Sequence, residues 1–285
     1  MAIVILPFGF KCTNAHTSQS WFYDAPLSTL GLQQVNDLAI FLRGNSTQFK
    51  TNPKPQLPTS SMSEESYQRH LSILRSDIGA PKSKLIASNL RRAVSTIIGA
   101  FQERLQVQNN PPYHCPDKIL IVPSLQEISS NPDTLSITPP NTTIQASWLE
   151  QQPSLSSSST SSSSSSLIKC NYQHVYNTQT DMSLHMGNKP LWTTNGYKRM
   201  MEFCHFIFST GSIIHEDYVI VGGHSLWFRS FFRLLLPYDV SHVAKDKKIV
   251  NGGIVVFDLL MNDDSYGTPR YMIDPKSIQT IYGGF

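Results

Sequence analysis

The sequence predicts an α/β protein with a mainly parallel sheet flanked by helices on both faces. Three observations predict it. Short apolar runs rich in Ile and Val ("AIVIL", "KLIA", "KILIV" and "DYVIVGG") have the length of buried strands. Segments with apolar residues at helical spacing lie between them. Each run ends in a polar or glycine turn, giving the order strand, turn, helix from which parallel sheets are built.

Residues 2–6 read as the first buried strand. "DAPLSTLGLQQVNDLAIFLRG" reads as a helix, with Leu32, Val35, Leu38, Ala39 and Leu42 on one face. Ser28 or Thr29 is its N-cap, and Gly44 stands where a C-cap belongs. Residues 45–66 form a polar Pro/Ser-rich insertion. "SKLIASNLRRAVSTIIGAFQERL" gives a strand, a turn at Ser88-Asn89 and a helix through Leu105. "KILIVPSLQEIS" is a strand running into a loop. Residues 129–190 are a second insertion, with a Ser-rich run at about residues 150–166 too polar to order itself by burial. "TTNGYKRMMEFCHFIFS" is a helix with Thr194 or Asn195 near its cap. "DYVIVGGHSLWFRSFFRLLLP" repeats strand, glycine turn and helix, with Trp227, Phe228, Phe231 and Phe232 on a core-facing side. "GGIVVFDLL" and "RYMID" close the chain as strands, so that residues 1–285 make a single domain.

Composition narrows the function classes. Hydrophobic residues make up 40% of the chain and charged residues 15%, enough apolar content for a core. A net charge of +3, with no Lys/Arg block, argues against nucleic acid as a partner. Cys12, Cys115, Cys170 and Cys204 are widely spaced and form no CxxC pair, which fits reduced thiols in a cytoplasmic protein. No apolar run reaches the length of a membrane span. Residues 2–10 carry no basic segment before them and are interrupted by Pro7, so they read as a core strand rather than a secretion signal. Neither a metal-ligand cluster nor a cofactor motif stands out.

In a parallel sheet, ligands bind outside the carboxyl ends of the strands. Four loops are expected to converge there: Gly9–Asn14, Ser88–Arg92, Leu125–Ile128 and Gly222–Ser225. They bring Asn14, Arg91 and Arg92, Glu127 and His224. Arginine, carboxylate and imidazole together suit phosphoryl chemistry. Arginine holds phosphate oxygens, histidine attacks or stabilises, and a carboxylic acid protonates the leaving oxygen. Ser225 adds a backbone N–H at a helix start, where an anion is favoured, or simply caps that helix. Asn14 either contacts substrate or closes an Asx-turn, and Arg91 reads as a surface residue.

These loops resemble the histidine phosphatase superfamily, the phosphoglycerate mutase-like proteins with a three-layer sandwich. "DAPLSTLGLQQVNDLAIFL" is similar to that family's Asp-x-Pro-Leu-Thr-x-x-Gly-x-x-Gln-Ala helix, and "SNLRRAVST" to its Ser-Pro-Leu-x-Arg-Ala-x-x-Thr segment. "VIVGGHSLWFRSFF" resembles the strand that carries its second catalytic histidine. The resemblance implies that Arg92 binds phosphate and that His224 and Glu127 are catalytic, Glu127 as the acid of the small phosphatase and mutase branch. It implies a phosphorylated small molecule or a phosphoprotein as partner, and a mechanism that needs no metal and no cofactor.

One departure is severe. The family ends its first strand in Arg-His-Gly, and the histidine becomes phosphorylated. Aligned on Gly9 and Asn14, this chain has Pro7 in place of the arginine and Phe8 in place of the nucleophile. A phenyl ring has no lone pair to place in line with a leaving oxygen. His16 lies too far along the loop to fill that place without folding back. Three readings follow: a phosphate-binding protein without turnover, an active phosphatase whose first eight residues are mis-assigned, or an interaction scaffold that uses its Ser/Pro segments.

Overall fold

The computed structural model describes residues 1–7, 22–44, 62–106, 118–151, 170–190, 193–209, 214–264 and 266–285. Phe8, Asn14, His16 and the Ser-rich run lie outside them.

The chain enters as β1 (Ala2–Pro7) and α1 (Thr29–Leu42). Ser28 caps α1, its Oγ accepting from the Gly31 N–H at 3.1 Å, and Gly44 leaves the helix at φ +81°, where a Cβ would be strained. Helix α2 (Glu64–Arg75) opens on Ser63, with Glu64 and Glu65 in the first turn and Arg75 in the last, charges that suit the helix dipole. Next come β2 (Ser83–Ala87), α3 (Arg91–Ala100), α4 (Gln102–Gln106) and β3 (Ile119–Ile121). Two single 3₁₀ turns follow, Pro123–Leu125 and Pro132–Thr134, then α5 (Trp148–Gln151), α6 (Tyr172–Gln179) and β4 (Thr180–Asp181). Helix α7 (Gly196–Phe208) is capped by Asn195, which accepts from the Lys198 N–H at 2.7 Å. The chain ends through β5 (Tyr218–Gly223), α8 (Ser225–Leu235), α9 (Val243–Asp246), β6 (Ile254–Asp263), β7 (Pro269–Ile273) and β8 (Gln279–Tyr282).

Among the described residues the strands form one sheet in the order β4-β3-β2-β5-β1-β6-β7, with β8 also on β6. The pairs β4/β3, β3/β2, β2/β5 and β5/β1 are parallel; those involving β6 are antiparallel. Alternation along β1 divides the core. Val4 and Leu6 face α1, α3 and α6, while Ile3 and Ile5 face α7 and α8. Helices therefore cover both faces, as the apolar pattern predicts.

Four elements depart from the sequence reading. Helix α2 starts inside the segment assigned to the 45–66 insertion, and its Leu71, Ile73 and Leu74 are buried. Its charged and polar majority hid that narrow apolar stripe. The 129–190 segment contributes more than an insertion: α6 buries Val175 and Tyr176 in the core, and β4 extends the sheet. The helix expected through Leu105 breaks at Phe101 into α3 and α4. Strand β8 was not foreseen, because "QTIY" is too short to show alternation.

Candidate active site at the carboxyl edge of the sheet

Strand register brings the loops together. Ala87 of β2 pairs with Gly222 of β5, and Pro7 of β1 pairs with Gly223. Ile121 of β3 pairs with Ala87. The two glycines are sterically required. A Cβ on Gly222 would lie 2.6 Å from Ile97 Cγ1 of α3, and one on Gly223 2.8 Å from the Phe228 ring. "VGGH" is thus a strand end squeezed between helices of the two layers, and it delivers His224 to the first position outside the sheet.

His224 is fully buried at the N-cap position of α8, and its Nε2 lies 2.9 Å from Ser88 Oγ. Ser88 stands just past β2, its N–H donating to the Gly222 carbonyl at 2.9 Å. Two of the four expected loops are thereby joined by a direct side-chain contact. The third arrives through Glu127. Its Oε1 accepts from the Trp227 N–H at 3.1 Å, inside the first turn of α8, and from the Ile128 N–H at 2.9 Å. Burial pushes the Glu127 carboxyl above its ordinary range, against the opposing pull of the Arg92 charge and these backbone donors. A raised carboxyl pKa gives a group that holds a proton to higher pH, which general acid work requires.

Ser225, read in the sequence as an anion contact or a simple helix cap, is buried in the first turn of α8, and the Trp227 N–H of the same turn is directed to the Glu127 carboxylate. Trp227 and Phe228 are core residues, as predicted. A proton-linked consequence follows. A carboxyl whose folded pKa is raised takes up protons on folding, so its penalty is absent below the unfolded value near about 4.3 and grows as pH rises through the folded value. Glu127→Gln keeps the two acceptor contacts without the charge. The melting temperature of Glu127→Gln relative to wild type is expected to rise between about pH 4 and pH 8, followed by thermal denaturation. A constant or falling difference would show that the carboxyl ionises freely.

Arg92 lies in the first turn of α3 and is 3% exposed. Its Nη1 donates to the Asp133 carbonyl at 2.7 Å and lies 3.6 Å from Asp133 Oδ2. The partner comes from the 129–190 segment and was missed in the sequence, although Asn131-Pro132-Asp133 is a turn signal. Arg92 also acts electrostatically on Glu127 and on Asp24, so a cation and three buried carboxylates share this edge.

Two more buried groups were not anticipated. Asp24, at φ 45°, accepts from the Arg91 N–H at 2.8 Å and the Ile137 N–H at 3.3 Å, and so caps α3, whose own N-cap residue Leu90 cannot. Arg91 returns a bond from Nη2 to the Asp24 carbonyl at 2.8 Å and is half-buried, a correction to its reading as a plain surface residue. Arg199 of α7 is fully buried beneath the third loop, donating from Nη1 to the Gln126 carbonyl at 2.7 Å.

The fourth loop, with Phe8 and Asn14, lies outside the described residues. Neither described cysteine offers a substitute nucleophile: burial pushes the Cys170 and Cys204 thiols up to about 12. Among the described residues no group of three or more His, Cys, Asp and Glu is placed to hold a metal ion. No helix among them is long and apolar enough to cross a membrane.

Among the solved structures to which the chain is similar are several phosphatases. One is a mycobacterial glucosyl-3-phosphoglycerate phosphatase, at 15% identity and TM-score 0.40, covering 96% of each chain. Another is an alpha-ribazole phosphatase from Shigella flexneri, at 14% identity and TM-score 0.40, covering 96% of this chain and 95% of that one. A third is a phosphoserine phosphatase variant from Entamoeba histolytica in complex with phosphoserine, at 13% identity and TM-score 0.38, covering 95% of this chain and 94% of that one. No family profile and no curated protein sequence matches the chain.

Proposed function

We propose that this protein is a cytoplasmic histidine-phosphatase-fold protein that binds a phosphomonoester through Arg92 and, as its sequence stands, does not turn it over. The observation that carries the reading is the convergence of His224, Glu127 and Arg92, each buried, from the segments that follow β5, β3 and β2, Arg92 from the first turn of α3. Arg92 supplies the charge for the phosphoryl oxygens, and His224 sits at the start of α8, where partial positive charge favours an anion. Glu127, with its raised pKa, is placed to donate a proton to an ester oxygen. The missing element is the nucleophile: Phe8 fills that position in the sequence. Widely spaced cysteines support the cytoplasmic setting.

Tungstate tests the pocket, because it mimics phosphate without titrating near neutrality. At a hundredfold excess over its Kd it should add about 2.7 kcal/mol, a rise in Tm of about 5 °C for a chain of this size. Arg92→Ala is expected to abolish the rise. A wild-type protein that tungstate leaves unmoved, or an Arg92→Ala variant that keeps the full shift, rules out the proposed pocket.

A further inference from the structure

Asp133 presents a buried acceptor that the described residues do not satisfy. The residue is 8% exposed, its Oδ2 and carbonyl face Arg92, and its Oδ1 is buried with no hydrogen-bond partner among the described residues. An unmet buried carboxylate oxygen costs stability, about 1–3 kcal/mol for an ordinary polar group and more for a charged one. The turn that carries it is held firmly. Thr134 Oγ1 donates to the Ser129 carbonyl at 2.9 Å, and the Thr134 carbonyl accepts from Gln126 Nε2 at 2.7 Å. Gln126 Oε1 in turn accepts from Asn89 Nδ2 at 3.0 Å and from the Lys189 N–H at 2.8 Å. The Asp133 backbone is thereby tied to the loops after β2 and β3, and the carboxylate cannot swing away to find water cheaply.

Resting on the reading of Arg92 as the phosphoryl contact, we propose that Asp133 is a specificity residue that selects phosphomonoesters carrying a hydrogen-bond donor, a hydroxyl or an ammonium, on the carbon next to the ester carbon. Arg92 Nη1 lies 3.6 Å from Asp133 Oδ2, so a phosphoryl group held by that guanidinium stands next to the Asp133 carboxylate. A donor there completes the carboxylate. An alkyl group leaves it unmet, beside the negative charge that every phosphoryl group brings. The discrimination is therefore by what accompanies the phosphate.

Three ligands of nearly equal size separate the possibilities: propyl phosphate, 2-hydroxyethyl phosphate and O-phosphoethanolamine, each titrated calorimetrically into wild type and Asp133→Asn. Hydrogen bonds to charged groups correspond to about ten- to hundredfold in affinity, and wild type should prefer the two donor-bearing ligands over propyl phosphate by that factor. Asp133→Asn should lose most of the preference while still binding propyl phosphate. The hydroxyl ligand carries the same charge as propyl phosphate, so its advantage reports the hydrogen bond alone; a further gain for the ammonium ligand reports charge. If wild type binds all three equally, or if Asp133→Asn keeps the preference, the inference falls and the phosphoryl pocket stands. If none of the three binds to wild type, both fall. The wild-type comparison decides the matter even where the variant fails to fold.

Discussion

The double substitution Pro7→Arg with Phe8→His is expected to raise hydrolysis of p-nitrophenyl phosphate by at least about a thousandfold over the chain as it stands, which should be close to inert. The expectation comes from register. Pro7, the last described residue of β1, pairs with Gly223, the residue before His224, on the same edge as Ser88 and Arg92. An imidazole at position 8 would join the arginine proposed to hold the phosphoryl group and a carboxyl whose pKa burial raises, which are the costly parts of such a site to assemble. The arginine at position 7 would add a second charge to the phosphoryl oxygens. Adding His224→Ala to the active variant should remove most of the gain. Rapid quenching with acid or alkali distinguishes the chemistry: a phosphohistidine survives alkali and is lost in acid. A folded double variant that still binds tungstate but hydrolyses nothing would show that the pocket is not arranged for transfer to position 8.

How much of this arrangement could be read beforehand depends on the range of the interaction that fixes each residue. Strand ends and the residues directly after them were legible, because "SNLRR", "LQEI" and "GGHS" each break an apolar run at a definite point. Hence His224, Arg92 and Glu127 were placed on one edge from sequence. Partners contributed from far along the chain were not. Asp133 reaches Arg92 across 41 residues, and Asp24 caps a helix 67 residues away. Asp24 heads the "DAPL" segment and Asp133 follows Asn131-Pro132, but neither local pattern names the distant group that the carboxylate meets. Asp133 also sits in a stretch whose prolines and serines read as a loop, and a loop ordinarily leaves its carboxylates in water. Helix α2 was lost for a different reason: only Leu71, Ile73 and Leu74 are buried, and a polar helix resting lightly on a core gives little periodic signal.

Trp227→Ala should be the most damaging single change among the residues near the site, costing about 3–5 kcal/mol. The side chain is 1% exposed. It stacks on Phe231 at 4.8 Å and 18° between planes, and meets Phe203 and Phe228 edge-on, each at 5.5 Å. Its Nε1 donates to the Ser124 carbonyl at 2.9 Å, in the 3₁₀ turn that leads to Glu127, while its backbone N–H holds the Glu127 carboxylate. Truncation removes the ring and orphans the Ser124 carbonyl, so core and candidate site lose support together. Trp227→Phe separates the two contributions: it keeps most of the ring contact and gives up the bond, for about 1–3 kcal/mol. Urea denaturation should rank wild type above Trp227→Phe and Trp227→Phe above Trp227→Ala. Tungstate binding by Trp227→Phe reads the remaining link. A loss of affinity larger than the stability change accounts for means that the indole positions the Glu127 turn; unchanged affinity means that the Trp227 N–H, which every substitution retains, is enough to hold it.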